Sequence, residues 1–147
     1  MRRVARAYSA TPLIRRLALS IVENLPEKNR IAEAVAVRDY WRNKIRFVRD
    51  IDGLETVATP VVTLQTGQGD CDDVSTAVAS TLLALGHESI FFRAIDPTRS
   101  NGRGAGRLSH VYVVDVIDGV PVPLDASDSR IPAGQEASHV RAKNVRV

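Results

Sequence analysis

Two runs, residues 109–117 and 120–125, flank the pair Asp118-Gly119. Asp-Gly between alternating segments is a strong hairpin signal, because a type I′ turn needs two residues that tolerate positive φ. A two-residue loop fixes the register: Ile117 pairs with Val120, Tyr112 faces Asp125, and His110 faces Ser127. Opposed residues share a face of the ribbon, and faces alternate along each strand. His110, Tyr112, Val114 and Val116 are therefore expected on one face with Pro121, Pro123, Asp125 and Ser127. His110 and Asp125 become diagonal neighbours, roughly 5–7 Å apart at Cβ. In this register residues 121 and 123 turn their backbone groups away from the partner strand. The two prolines then cost no hairpin bond, and 120–125 is expected at a sheet edge.

The clearest helix begins at Asp70. Asp70 is placed to cap it, with Asp73 at capping-box spacing, Val74, Val78, Leu82 and Leu85 at helical period, and Gly86 as the stop. Cys71 falls in its first turn and leads the apolar stripe. Helix-terminal N–H groups favour a thiolate there, while Asp70, Asp72 and Asp73 oppose it. Upstream, Thr11-Pro12 reads as a cap followed by proline at the first helical position, with the helix ending near Asn24. A second helix is predicted over about 27–43, with Ile31, Ala34, Val35, Arg38 and Trp41 on one side. Residues 45–48 suit a short strand, followed by a connection containing Gly53, Pro60 and Gly67-Gln68-Gly69. Residues 89–95 read as a strand and 96–107 as a loop. The class is α+β: helices first, then a small antiparallel sheet.

The chain reads as a single domain over residues 1–147, with a basic N-terminal helix (1–25), a core (40–127) and a polar tail (128–147). Its 147 residues suffice to bury a core without staples, and 44% hydrophobic with 25% charged residues excludes disordered and fibrous classes. One cysteine excludes an internal disulfide and a multi-cysteine zinc site, and no cofactor or metal is expected. No apolar run approaches the ~20 residues of a membrane span. Lys+Arg is 20 against 17 acids, and the excess sits at the two ends. A solvated basic face is the ordinary reading, with docking to a protein partner or virion assembly as the functional one. Nucleic acid is not the expected partner, since Tyr8 alone interleaves with the N-terminal arginines. Arg15 and Arg16 interrupt any apolar stretch that a secretory signal would need.

A helix-terminal cysteine, a histidine and a carboxylate that orients it make a nucleophilic triad: Cys71, His110 and Asp125. The Cys71 amide, with Gln65 or Gln68, is the expected oxyanion donor set, and Asp72 and Tyr112 are candidate substrate contacts. Gly69-Asp70-Cys71-Asp72-Asp73, a helix ending Leu85-Gly86, then Ser109-His110-Val111-Tyr112-Val113 and Pro123-Leu124-Asp125 resemble the core of the transglutaminase-like superfamily of papain-like thiol enzymes, over residues 40–127. The resemblance implies that Cys71, His110 and Asp125 are catalytic. Gln65, six residues before the cysteine, has a spacing similar to the oxyanion glutamine of papain-type proteases. Tyr112, two positions after His110, stands where the family commonly has a tryptophan after its histidine.

The function expected is a thiol-dependent acyl enzyme, a cysteine protease or amidase acting on peptide or peptide-like amides through an acyl-enzyme. The alternative is a catalytically silent structural or binding module on the same fold. The Gly-Asp-Cys-Asp-Asp form is closer to bacterial and phage-borne members, which implies a bacterial cytoplasm or a phage virion. Two further features have plain readings. Gly102, Gly104 and Gly106 precede a strand rather than a helix, so they form a flap or loop beside His110 and not a phosphate loop. His87 and His139 are expected to be structural.

Overall fold

The structure is a computed structural model that describes residues 1–49, 56–99, 101–104 and 106–147; Gly53, in the expected connection, lies outside them. In chain order the elements are α1 (Arg2–Ser9), α2 (Pro12–Val22), α3 (Arg30–Lys44), β1 (Arg46–Phe47), α4 (Pro60–Thr66), β2 (Gln68–Gly69), α5 (Cys71–Ala84), β3 (Ile90–Pro97), β4 (His110–Ile117), β5 (Val120–Leu124) and β6 (His139–Arg146). The class is α+β, as expected.

Helix α5 forms as its capping signals predict. The Asp70 carboxylate accepts from the amides of Asp72 and Asp73 at 2.9 and 3.2 Å, and the Asp73 side chain accepts from the Asp70 amide. The helix is buried on every side from Asp73 to Leu82, not along one stripe. It packs against α1, α2, α3 and α4, and against β4. Alanines and hydroxyl residues on its flanks allow that close approach. Ser75 Oγ donates to the Val111 carbonyl at 3.1 Å, and Trp41 Nε1 donates to Thr81 Oγ1 at 3.0 Å. Asp70→Ala should cost about 1 kcal/mol in a urea melt, the usual value of an N-cap. Asp70→Asn should cost little. It keeps the acceptor and removes a carboxyl whose pKa is raised by burial and by repulsion from Asp73 and Asp72.

The main sheet has the order β5-β4-β3-β6 and is antiparallel; β1 and β2 form a short parallel pair. The hairpin has the expected register, with Ile117 opposite Val120 and Val113 opposite Leu124. Asp118 and Gly119 both have positive φ, 52° and 80°. Strand β5 is the edge that its prolines require. One face of the sheet carries Val111, Val113, Ile117, Val122 and Leu124 into the helical core. The other carries Ile95, Tyr112 and Val114, with Ala137 packed on them.

Several expectations are corrected. The N-terminal region holds two helices, because Thr11-Pro12 ends one as it starts the other. Helix α3 starts at Arg30, after Asn29 as cap, and buries Ala34, Val37, Arg38 and Trp41 while Ile31 is 55% exposed. The connection after β1 contains α4, capped by Thr59 with Pro60 next. The polar tail is not irregular throughout: 139–146 is β6, paired to β3, and Ala137 helps cover the second sheet face. Among the described residues no helix is long and apolar enough to cross a membrane.

Candidate active site

Three elements converge on the candidate site. Cys71 is the first residue of α5, His110 the first of β4, and Asp125 follows the last residue of β5. The hairpin register brings the latter two together: His110 Nε2 lies 2.6 Å from Asp125 Oδ2. Cys71 stands close enough to His110 to raise its pKa. Since Asp125 occupies Nε2, the nitrogen left for the thiol is Nδ1. Burial pulls the His110 pKa down, but the hydrogen bonds and negative charge of Asp125 and Cys71 outweigh it and raise the pKa from 6.5 to about 10. Asp125 shows the converse. Burial pushes its pKa up, and the His110 partner and backbone amides bring it below the ordinary value.

Asp125 is 2% exposed and held from every side. Its Oδ1 accepts from the Ser127 amide and hydroxyl, both at 2.9 Å, and from the Asp128 amide at 3.1 Å. Arg38 Nε donates to its backbone carbonyl at 2.9 Å. Arg38 also reaches the Ile131 carbonyl, and Arg42 those of Ile131 and Ser129, so α3 clamps the segment that carries Asp125. The sequence placed Arg38 in a core-facing stripe but assigned it no role. An arginine at a buried helical position was the signal, since a buried guanidinium needs carbonyl or carboxylate partners.

The remaining candidates divide. The Cys71 amide has no acceptor among the described residues, because the capping box serves its neighbours. Asp72 stands beside the thiol, with Oδ1 3.9 Å from Sγ. Gln65, on α4, and Gln68, in β2, are exposed and make no hydrogen bond to Cys71, His110 or Asp125 among the described residues. Tyr112 is buried beside His110. Its ring centroid is 6.0 Å from that of His110, as parity requires, but it is 1% exposed. Its hydroxyl pKa is raised by burial, then by Glu136. A cavity of about 170 Å³ lies near the site, lined by Arg42, Ile45, Phe47, Val74, Ala126 and Ser127 among others. Donor atoms of Asp70, Cys71 and Asp72 lie within 4.8 Å of one another, a grouping that can hold a cation, though Asp70 is already engaged as the helix cap.

Residues 15–125 match the model of the transglutaminase-like superfamily. No curated protein matches the chain in sequence. Among solved structures the fold is similar to putative proteases of Cytophaga hutchinsonii (a cysteine protease) and Parabacteroides distasonis. The first has TM-score 0.62 and 12% identity over 95% of this chain and 52% of that one. The second has TM-score 0.63 and 16% identity over 85% and 25%. LapG of Legionella pneumophila has TM-score 0.59 and 15% identity over 97% and 83%. The chain thus spans about half the length of the first of these structures and a quarter of the second. With the matched segment running from α2 to the last residue of the candidate site, the chain belongs to the transglutaminase-like superfamily.

Proposed function

We propose that this chain is a thiol acyl enzyme that hydrolyses peptide or peptide-like amide bonds, with Cys71 as nucleophile, His110 as acid and base, and Asp125 as the group that orients His110. The observation that carries the reading is an imidazole held by Asp125 Oδ2 at 2.6 Å on Nε2, with Cys71, at the start of α5, close enough to raise its pKa. Cys71 gives its proton to His110 Nδ1, and the thiolate attacks the amide carbon. The Cys71 amide, free of an acceptor and at a helix N-terminus, donates to the oxyanion. His110 then passes its proton to the leaving nitrogen as the C–N bond breaks, which leaves a thioester on Cys71. Water, deprotonated by His110, releases the carboxylate and restores the thiol. The neighbouring cavity, smaller than the roughly 300–1,000 Å³ of drug-sized sites, suits one short side chain. A cleft filled by the chain's own tail or by a neighbouring subunit would favour the silent module, and residues 139–146 of that tail form β6, beyond β3.

The test is labelling with iodoacetamide at neutral pH, followed by turnover of peptide, isopeptide and peptidoglycan-type amides. Cys71 should alkylate well above the rate of a free thiol, and His110→Ala should abolish the excess. Labelling of the wild type no faster than glutathione rejects the reading.

The raised His110 pKa also predicts a pH-dependent stability difference. A group whose pKa is higher folded than unfolded stabilises fully below its unfolded pKa and loses this as pH rises through the folded one. The melting-temperature advantage of wild type over His110→Gln should therefore be greatest below pH 6.5 and fade towards pH about 10.

A further inference from the structure

The four-stranded sheet ends in two unlike edges. On β5, Pro121 and Pro123 turn outward and offer no donor there. On β6 the outer edge keeps its donors. The Val147 amide donates to the Ile90 carbonyl at 2.9 Å, so these residues form a hydrogen-bonded pair. By alternation Val145, Lys143 and Arg141 also point their backbone groups into β3. Those of Ala142, Asn144 and Arg146 point away from the sheet, and all three residues are exposed. Such a row is a template for another extended chain.

The charge along this edge has one sign. Arg141, Lys143 and Arg146 are exposed, and no acidic residue lies between 137 and 147. Arg6 Nη2 donates to the Val147 carbonyl at 2.8 Å, which brings α1, with Arg2 and Arg3, to the far end of the strand. No acid precedes Glu23. Arg6 thus brings one cation of the N-terminal helix to the end of β6. Among the described residues none of these six cations has an ion-pair partner.

We propose that the edge from Ala142 to Arg146 takes an extended acidic polypeptide segment as a fifth strand of the sheet. A second copy of β6 would set cation against cation, which is unfavourable across a ladder. A nucleic acid would use the cations but leave the outward amides without strand partners. Ala142 is opposite Ile95, which is opposite His110, so the edge begins two strand spacings, roughly 10 Å, from the candidate site. The surface does not depend on the catalytic reading, and its test is separate.

The test titrates the full isotope-labelled chain with a short peptide of alternating Glu and Val. Matched arms use a Lys-Val peptide, the Glu-Val peptide N-methylated at every residue, and a single-stranded oligonucleotide. The expected result is slowed amide exchange at Ala142, Asn144 and Arg146, with Lys143 and Val145, already in the ladder, unchanged. N-methylation should weaken binding roughly tenfold or more, the worth of one or two hydrogen bonds. Lys143→Glu/Arg146→Glu should transfer the preference to the Lys-Val peptide. The proposal is overturned by no peptide binding, by binding without protection of those three amides, by equal binding of the N-methylated peptide, or by an oligonucleotide that outcompetes the acidic peptide. If the charge-reversed variant fails to fold, the N-methylated arm on the wild-type chain decides.

Discussion

Asp125→Asn is expected to lower hydrolysis of any amide that the wild type cleaves by about 10³–10⁴-fold, through the tautomer of His110. The substitution is nearly silent for the loop. Asparagine keeps an oxygen for the Ser127 amide, the Ser127 hydroxyl and the Asp128 amide, and the backbone carbonyl that Arg38 holds is untouched. What changes is the group facing His110 Nε2. A carboxylate oxygen accepts there, which makes Nε2 the protonated nitrogen and leaves Nδ1 free to take the thiol proton. An amide NH2 donates, so Nε2 must accept and the ring proton moves to Nδ1, where it blocks proton transfer from Cys71. Loss of the negative charge also removes the chief support of the raised His110 pKa. Rapid iodoacetamide labelling should therefore be lost together with turnover, while the thermal transition moves by only a few degrees. Wild-type labelling and turnover in Asp125→Asn would end the case for the triad.

The parts of this arrangement legible in the sequence are those set by short-range geometry. Asp118-Gly119 fixes a register, and a register fixes which residues share a face, so His110 and Asp125 could be paired before any coordinates. Asp70 and Asp73 mark a helix start within one turn, which puts Cys71 at its N-terminus. The same parity placed Tyr112 beside His110 but said nothing of what lies over it. Cover is a long-range property, and here Ala137 packs on that face. Strand β6 was missed because every residue from Val140 to Arg146 is exposed. Such a strand is held by backbone bonds to β3 and has no alternation to read. Helix α4 carries the same Thr-Pro signal as α2, but seven residues are too few to show a period. Gln65 and Gln68 were offered as side-chain oxyanion donors near Cys71, Gln65 also for its spacing from the cysteine, and spacing along a chain that turns between α4 and α5 does not determine where a side chain points.

The largest stability effect belongs to a residue outside the candidate site. His87 is 5% exposed and lies between two carboxylates: Nδ1 meets Asp115 Oδ2, and Nε2 meets Glu33 Oε2 at 3.1 Å. The two contacts are on opposite sides of the ring, so they cannot converge on one metal ion. They join α3, the turn after α5, and β4 through one imidazole. Arg30 completes the group, 3.2 Å from Glu33 Oε2 and 2.9 Å from the Leu85 carbonyl. Removing the ring leaves Asp115, 1% exposed, as a buried carboxylate without its partner. That is the costly way to break a buried pair, worth about 3–5 kcal/mol. Domains of this kind hold about 5–15 kcal/mol in total, so His87→Ala should bring the chain close to unfolding at ambient temperature. A urea melt measures the loss directly. His87→Ala/Asp115→Ala should then be less destabilised than the sum of the single variants, because the second substitution removes the stranded charge that the first created. Additive losses would show that His87 and Asp115 do not act as a unit.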